Sequence, residues 1–360
     1  MAGPGFAHAQ GVVLAPDPTP LLQPAGLQGL LAPMYDRVNG LSLPIGAIVT
    51  LASDRFVLEP ILAYRSRLGV VDPAVSVRVG AVDGVRFEGQ FGRSTRSNDA
   101  WNYSNLVNSA TTFFAGNDTR NYFRANGGEG RVVGRIAQPG LLFEPFVGGR
   151  YERVSPIGAN GGVWSVKGRN DIEHMRRPNP LVDAGSVGSA LVGAYFRDTA
   201  GVVLSRARAQ VEQSVSTFAG TARFTQLTVD AHIEFPTFKT QALHVAAHGV
   251  ATAGDSVPRA RYAYLGGSGT IPIVEMLELG GTDLLFVESR YTIPVQNVAL
   301  PLAGVPVISI SHMMGSAGVG RLPSLVQAIG AGVGLSVLHV DVYTDVARKR
   351  GTKFSVGISL

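Results

Sequence analysis

The sequence predicts an all-β protein, a transmembrane antiparallel β-barrel of about sixteen strands. Two observations carry this prediction: long stretches in which apolar and polar side chains alternate, and a succession of short turns and long polar loops. Side chains along a β-strand point alternately to the two faces of the sheet. A barrel that turns its apolar face to lipid and its charged face to a lumen accounts for both observations.

The segment 227–235 shows the alternation most clearly. Its odd-numbered side chains are apolar and its even-numbered side chains are polar or charged: Leu227, Val229, Ala231, Ile233 and Phe235 against Thr228, Asp230, His232 and Glu234. Segments 75–79 and 85–91 repeat the pattern. Strands of soluble sandwiches usually end after about five or six residues. These stretches run longer, and their polar face is dense in charge, which favours a membrane barrel.

Composition agrees with this class and excludes others. The chain of 360 residues is 45% hydrophobic and only 16% charged, against about 25% charged in soluble domains. It has no cysteine, so disulfides and thiolate metal sites are excluded. The net charge of +5 is scattered, which argues against a nucleic-acid partner. No stretch reaches the roughly 18–20 apolar residues of a membrane helix.

Turn residues divide the chain into fifteen recognisable strands. They are 35–51, 55–67, 70–81, 84–93, 119–138, 141–154, 187–198, 201–213, 223–235, 240–252, 283–295, 303–313, 326–336, 339–346 and 352–360. Bacterial single-chain barrels have an even number of strands. We therefore expect that one strand is merged with a neighbour or missed. Sixteen is the preferred total, with twelve and fourteen as alternatives.

The connections predict which rim faces outward. Turns such as Leu68-Gly69, Asp83-Gly84 and Thr199-Ala200-Gly201 are short, whereas 94–118, 155–186 and 253–282 are long and polar or glycine-rich. Outer-membrane barrels carry short turns at the periplasmic rim and long loops outside. The basic cluster at 174–177 in the second long loop is a candidate contact for outer-membrane lipid and lipopolysaccharide. An ordinary solvated loop is the favoured alternative.

Two regions are expected along the chain. Residues 1–33, rich in Pro, Gly and Gln, read as a disordered lead-in. Within it, Ala7-His8-Ala9-Gln10 resembles the end of a signal peptide, which makes a signal-peptide remnant one interpretation. Residues 34–360 are predicted to form the barrel, without a soluble periplasmic domain.

Four stretches of the last hundred residues resemble the BamA/TamA-type outer-membrane barrel superfamily, also called the bacterial surface antigen family. The chain matches its motifs in order and spacing at 264–271, at 280–281 with 288–294, at 332–335 with 340–342, and at 354–358. The segment 35–40 resembles the first strand of some members. The resemblance marks these lumen or motif residues: Gly266, Gly267, Gly281, Glu288, Arg290 and Asp341.

The chain departs from the family at one position pair. The family's long loop usually carries an arginine that reaches into the lumen, where this chain has Pro272, with Ile273 in place of the following glycine. The aspartate that holds the arginine falls near His312. Both members of the expected ion pair are absent together, so the resemblance leaves insertase or secretion activity open.

Other candidate residues follow from strand geometry. Glu288 and Arg290 lie two residues apart on one strand face, close enough for an ion pair in the lumen. We expect four aromatic residues near strand ends to form a girdle at the lipid–water boundary: Trp101, Tyr103, Tyr122 and Phe123. A first-to-last strand seam that opens is a feature of the assembly hypothesis, with Tyr35, Arg37, Phe354 and Gly357 in its two strands.

Enzymatic chemistry has weak support. Gly254-Asp255-Ser256 resembles a short hydrolase motif, with His244 and His248 on the preceding strand, but a polar loop tip is the favoured interpretation. His232, His244 and His248 together could form a metal site. Ordinary hydrogen-bonded residues of the lumen wall are the favoured interpretation. We expect no catalytic residue, no metal and no cofactor.

The sequence thus predicts an integral protein of the bacterial outer membrane, present as a monomer. The resemblance implies a role in outer-membrane protein assembly or in transport of polypeptide or lipid, with a separately encoded periplasmic partner as one option. The alternative is a passive pore whose selectivity is set by lumen charges, among them Arg206, Arg208, Asp230 and Glu234. An outer-membrane enzyme is the weakest hypothesis.

Overall fold

The computed structural model describes residues 30–51, 55–158, 164–167, 177–215, 220–296, 298, 304–335 and 338–358. Most of this part is antiparallel β-sheet. Its strands are β1 (Met34–Asp36), β2 (Gly40–Gly46), β3 (Val49–Leu51), β4 (Phe56–Arg65), β5 (Val70–Gly80), β6 (Arg86–Arg96), β7 (Phe123–Val133), β8 (Ile136–Gln138), β9 (Leu141–Ser155), β10 (Gly185–Asp198), β11 (Leu204–Ser214), β12 (Arg223–Pro236), β13 (Ala242–Ser256), β14 (Ala263–Leu265), β15 (Leu279–Gly281), β16 (Asp283–Pro294), β17 (Val307–Gly318), β18 (Val326–Leu335), β19 (Leu338–Asp345) and β20 (Lys353–Ile358).

Sequential antiparallel pairing builds one sheet from eighteen of these strands. Only β14 and β15 stand apart and pair with each other. β2 and β3 both pair with β4, and β7 and β8 both pair with β9, so each couple is one interrupted strand. Within the described residues the wall therefore has sixteen strands, as preferred from the sequence. The all-β barrel architecture is confirmed.

The first predicted strand is wrong. It is two strands of the wall, which raises the fifteen strands counted in the sequence to sixteen. Residues 35–51 do not form one strand, because β1 and β2 make a tight hairpin with Tyr35 opposite Leu41. The Asp36 carboxylate accepts the backbone N–H groups of Val38 and Asn39, and Gly40 has a φ of +66°. An aspartate that satisfies the following backbone and a glycine with positive φ together turn the chain.

The two faces of the sheet differ as the alternation predicts. Outward-facing Leu62, Val147, Val192 and Phe354 are each more than half exposed. The inner face carries buried charges in ion pairs, such as Arg150 with Glu129 at 2.7 Å. An apolar exterior and a charged interior are the pattern of a barrel that spans a membrane.

Loop lengths separate the two rims. The long connections 97–122, 156–184 and 257–282 leave one rim, because hairpins of an antiparallel sheet alternate between rims. The turns at 81–85, 139–140 and 199–203 lie at the opposite rim. The placement of Leu68-Gly69 with the short rim is wrong, since this turn joins β4 to β5 at the long-loop rim.

In the described part of the chain, helical structure is confined to the long loops. Ser104 caps the N-terminus of α1 (Asn105–Ala110), because its hydroxyl accepts the N–H of Val107. The helix continues as a π-helical turn (Thr111–Ala115). A single 3₁₀ turn covers Arg259–Arg261. No helix among the described residues is both long and apolar enough to span a membrane.

A lumen filled by long loops as the candidate functional site

Three loop segments meet inside the barrel at the long-loop rim, where the outer side of the helical stretch 105–115 reaches the barrel edge beside β1. We call them together the lumen plug: residues 97–122, 177–182 and 257–282. Asn98 Nδ2 donates to the carbonyls of Ala260 at 2.6 Å and Tyr262 at 2.9 Å. Asn117 donates to Ser268 Oγ at 3.1 Å, and Arg177 donates to the carbonyl of Asp118 at 2.6 Å. The long loops therefore fold back on each other instead of extending into solvent.

Apolar packing holds residues 263–277 against the inner wall. Leu265, Ile271, Ile273 and Val274 are almost completely buried. They form one cluster with inward-facing side chains of β16 to β19: Leu284, Phe286, Met313, Ala317, Ala328 and Tyr343. An apolar patch on the lumen wall would be costly in a water-filled pore. The loop covers this patch.

Glycines at the motif positions allow the loop to fold tightly. Gly267 has a φ of +79°, and a Cβ there would lie 2.6 Å from the Met276 side chain. A Cβ at Gly281 would lie 2.0 Å from the carbonyl oxygen of Gly318 in β17. At Gly267 the positive φ disfavours any residue with a Cβ, and at Gly281 a Cβ would clash with the backbone of β17. Gly266, Gly267 and Gly281 thus shape the loop and its contact with the wall.

The position assigned to His312 requires a correction. The side chain of His312 lies on the outer face of β17 and bonds to Gln327 at 3.1 Å. The neighbouring Met313 is the side chain that faces the loop, and it packs in the apolar cluster with Ile271 and Ile273. Where the family pattern has an ion pair, this chain has apolar contact on both sides.

Arg261 is a lumen arginine that the sequence analysis missed. It extends from the 3₁₀ turn to the opposite wall and makes ionic contacts with Glu152 of β9 at 2.6 Å and Glu212 of β11 at 2.8 Å. All three side chains are at least 95% buried. Arg150 neutralises Glu212 and Glu129 beside them. The local sequence around Arg261 gives no signal for this role, because its partners lie on distant strands.

Polar contacts hold residues 97–122. The Asp118 carboxylate accepts the backbone N–H of Arg37 at 2.8 Å and the hydroxyl of Tyr122 at 3.0 Å. Asn108 Oδ1 accepts the N–H of Thr119 at 3.0 Å. Arg37 donates to Asn179 and to the carbonyl of Arg120. These contacts tie the loop to the first hairpin and to residues 177–179.

Burial shifts the pKa values of two charged residues among these polar contacts, Asp99 and Arg177. Burial raises the pKa of Asp99 to about 7, against the opposing effect of the N–H of Asn121, which its Oδ2 accepts at 2.7 Å. Its Oδ1 has no hydrogen-bond partner among the described residues. Burial and the nearby Arg37 lower the pKa of Arg177 to about 9. Because the pKa of Asp99 is higher in the docked loop than in water, docking of the loop depends on pH.

The predicted aromatic girdle is wrong for the four residues proposed. Trp101 stacks on His248 of β13 with ring centroids 4.1 Å apart, inside the lumen. Burial raises the pKa of Tyr103 to about 12, with Glu288 and Arg290 near its ring. Tyr122 and Phe123 are also buried. These rings face inward because they belong to the plug or to its junction with the wall.

The remaining motif residues lie on the lumen wall and at the sheet edges. Glu288 and Arg290 form an ion pair of 2.9 Å. Asp341 is buried, with Ser309 Oγ at 3.4 Å. Phe354 points outward from β20, whereas Gly357 lies against the ring of His339. Within the described residues, no backbone pairing joins β1 to β20.

The residues considered for catalysis or metal binding are not arranged for either. Ser256 lies eight residues from His248 on the same strand, a separation of about 26 Å at the usual strand rise. His248 is instead bonded to Asp230 at 2.7 Å. His232 and His244 have ring centroids 6.4 Å apart. No group of three or more candidate metal ligands occurs in the described part of the chain.

The site is therefore that of a membrane β-barrel with its lumen occupied by its own loops, and two solved structures are similar to the chain in fold. The crystal structure of BamA from Haemophilus ducreyi lacking POTRA domains 1–3 matches with a TM-score of 0.58 and 11% identity, over 91% of this chain and 68% of that chain. CdiB from Escherichia coli matches with a TM-score of 0.50 and 9% identity, over 89% of this chain and 59% of that one.

The fold expected from the sequence motifs is confirmed by these structures. At such low identity the likeness shows the fold alone. No protein-family model matches the chain, and no curated protein matches it. The chain thus has the fold of a BamA-type barrel.

Proposed function

We propose that this protein is an outer-membrane barrel for the assembly of outer-membrane proteins or the translocation of a polypeptide or lipid. One observation carries the proposal: the lumen is occupied by three docked loops, while the wall keeps β1 and β20 unpaired over the described residues. A pore for steady diffusion needs an open lumen. A barrel that moves a polymer needs a closed resting state that can open.

The fold likeness to BamA supports this proposal, as does the family's inferred role in assembly and transport. The likeness itself extends no further than the fold. The missing arginine of the family loop does not count against a docked loop here, because the apolar cluster and Arg261 hold residues 257–282. We further propose that the protein lies in the outer membrane as a monomer. Its substrate would be a polypeptide, and a separately encoded periplasmic protein would be its partner.

A reconstitution experiment tests assembly. Vesicles with and without the refolded full chain receive an unfolded eight-stranded barrel protein, and its folded fraction is followed by the mobility shift on an unheated gel. The matched control joins β1 and β20 by a disulfide between introduced cysteines, which the cysteine-free background permits.

We expect the added barrel protein to fold faster in vesicles that contain the wild-type chain. The oxidised control should lose this acceleration, and reductant should restore it. Equal rates in all vesicles would refute assembly of membrane proteins. Large, steady ion conductance through the same vesicles would favour the passive pore.

A further inference from the structure

A cluster of large apolar side chains lies where the sheet ends at β1. We call it the edge patch: Leu106, Phe113, Phe114, Trp164 and Val166. Leu106 is 59% exposed, Phe114 56%, Trp164 48% and Val166 58%. Exposed apolar groups of this size in one cluster mark a contact surface. They do not belong to the apolar cluster inside the lumen.

Contacts of Phe113 link it to Phe114, Trp164 and Val166. Phe113 lies 5.0 Å from Phe114 and 5.2 Å from Trp164 between ring centroids. The backbone N–H of Val166 donates to the carbonyl of Phe113 at 2.9 Å. Leu106 and Phe113 are seven residues apart, which places them on one side of the helical segment. The patch is therefore a single surface built from two loops.

Tyr35 shows on which side of the wall this surface lies. Tyr35 pairs with Leu41, an outward-facing residue of β2, so both side chains project from the outer face. The Tyr35 ring packs edge-on against Phe113 at 5.5 Å. Its hydroxyl donates to the carbonyl of Trp164 at 2.5 Å. The edge patch thus continues the outer face of the barrel and not its lumen.

The same helix also satisfies the free edge of β1. The backbone N–H of Tyr35 points away from β2 and donates to Ser109 Oγ at 3.0 Å. An unpaired backbone group is costly in contact with hydrocarbon. A side-chain acceptor therefore takes the place that a neighbouring strand would fill at this point.

We propose that the edge patch inserts into the membrane at the long-loop rim, where it contacts lipid acyl chains beside β1. Its occupant is lipid because the patch is continuous with the apolar belt through Tyr35 and Leu41. Tryptophan and tyrosine are enriched at this lipid–water boundary. Lys167, directly after the patch and exposed, can place its ammonium among anionic headgroups. This inference does not depend on the transported substrate.

Tryptophan fluorescence tests the inference because the chain has only two tryptophans. The W101F variant leaves Trp164 as the sole reporter, and the matched W164F variant leaves Trp101 inside the lumen. Each full-length variant is refolded into vesicles whose acyl chains carry bromine at defined carbons. Quenching by bromine reports contact with lipid, and quenching by acrylamide reports contact with water.

The expected result is that brominated lipids remove most of the Trp164 fluorescence, while acrylamide removes little. Trp101 should respond weakly to both. Strong acrylamide quenching of Trp164 without an effect of bromine would place the patch in water and overturn the inference. Shielding of Trp164 from both quenchers would show that protein covers it, from a second copy or from other loops, and would overturn it equally.

A second reporter covers the case in which W101F does not fold. F114C, labelled with a polarity-sensitive fluorophore, should emit like labelled V147C in the apolar belt. It should differ from labelled V202C, because Val202 lies 77% exposed in a turn at the short rim. Emission of F114C like that of V202C would also refute lipid contact.

Discussion

Two long loops meet in the lumen, but different forces hold them to the wall. Residues 257–282 dock through an apolar cluster against β16 to β19 and through one buried arginine. Residues 97–122 dock through carboxylates, amides and arginines, with Asp118 and Asp99 at the centre. Apolar docking depends on volume and is indifferent to pH. Polar docking depends on each partner and on its protonation state.

Removal of Arg261 should have the largest effect. In Arg261→Ala the buried Glu152 and Glu212 lose a counter-charge, which typically costs about 3–5 kcal/mol. We expect the backbone amides of Gly267 and Val274 to exchange hydrogen much faster, as measured by mass spectrometry. Arg259→Ala, two residues earlier and exposed, is the matched control and should leave the exchange rate unchanged. Slow exchange in both variants would show that the arginine does not hold the loop.

Truncation of the apolar cluster should rank second. Ile271→Ala removes a fully buried side chain, and substitutions of this kind cost about 3 kcal/mol. Exchange should increase much more over 263–277 than at 117–121, because the loops share only a few contacts, such as Asn117 with Ser268, and different contacts hold each to the wall. Ile308→Ala on the lipid-facing side of β17 provides the control. Equal loosening of both loops would contradict their separate attachment.

pH should act most strongly on residues 97–122. The pKa of docked Asp99 is raised to about 7, so the docked state binds the proton more tightly than an undocked carboxyl. Docking is therefore strongest at acidic pH and weakens as pH rises toward 7, by about 2 kcal/mol between pH 5 and 7.

Amide exchange at Asn121, corrected for its intrinsic pH dependence, measures this weakening. Asp99→Asn should abolish this pH dependence, and the response of residues 263–277 should be smaller. A pH response that survives in Asp99→Asn would assign it to another group.

The surface ion pair of residues 257–282 should have the smallest effect on docking of this loop. Arg350 contacts Glu278 at 3.0 Å, and both side chains are about one-third exposed. Such pairs contribute less than about 1 kcal/mol. Arg350→Ala should change exchange over 263–277 little in comparison with Ile271→Ala. An effect as large as that of Arg261→Ala would mean that the loop is anchored at its exposed end.

The sequence predicted the wall well because alternation is a local signal. The apolar outer face, the charged inner face and the three long loops at one rim follow from side-chain order alone. The first hairpin was missed because β1 has three residues and its turn depends on the Asp36 carboxylate, which binds its own backbone. Residues 35–51 therefore resemble one continuous strand.

The plug was less predictable because distant residues form it. Arg37 meets Asp118 across 81 positions, and Arg261 meets Glu152 across more than a hundred. Trp101 and Tyr103 near strand ends resemble girdle residues, and only the fold of the loop turns them inward. The motif glycines Gly266 and Gly267 lie in residues 257–282, where their positive φ values shape the loop. The loss of the family arginine and its aspartate partner was visible in the sequence, but the apolar contact that replaces them, between Ile271 and Met313, has no motif.

Single-channel conductance in a planar bilayer tests the central claim, that docked loops close the lumen at rest. The full chain is compared with a variant in which residues 101–118 are replaced by a short glycine-serine linker. We expect a closed or flickering wild-type barrel and a larger, steady conductance in the shortened variant. Equal, large and ion-selective conductance in both proteins would contradict it and would identify a passive pore.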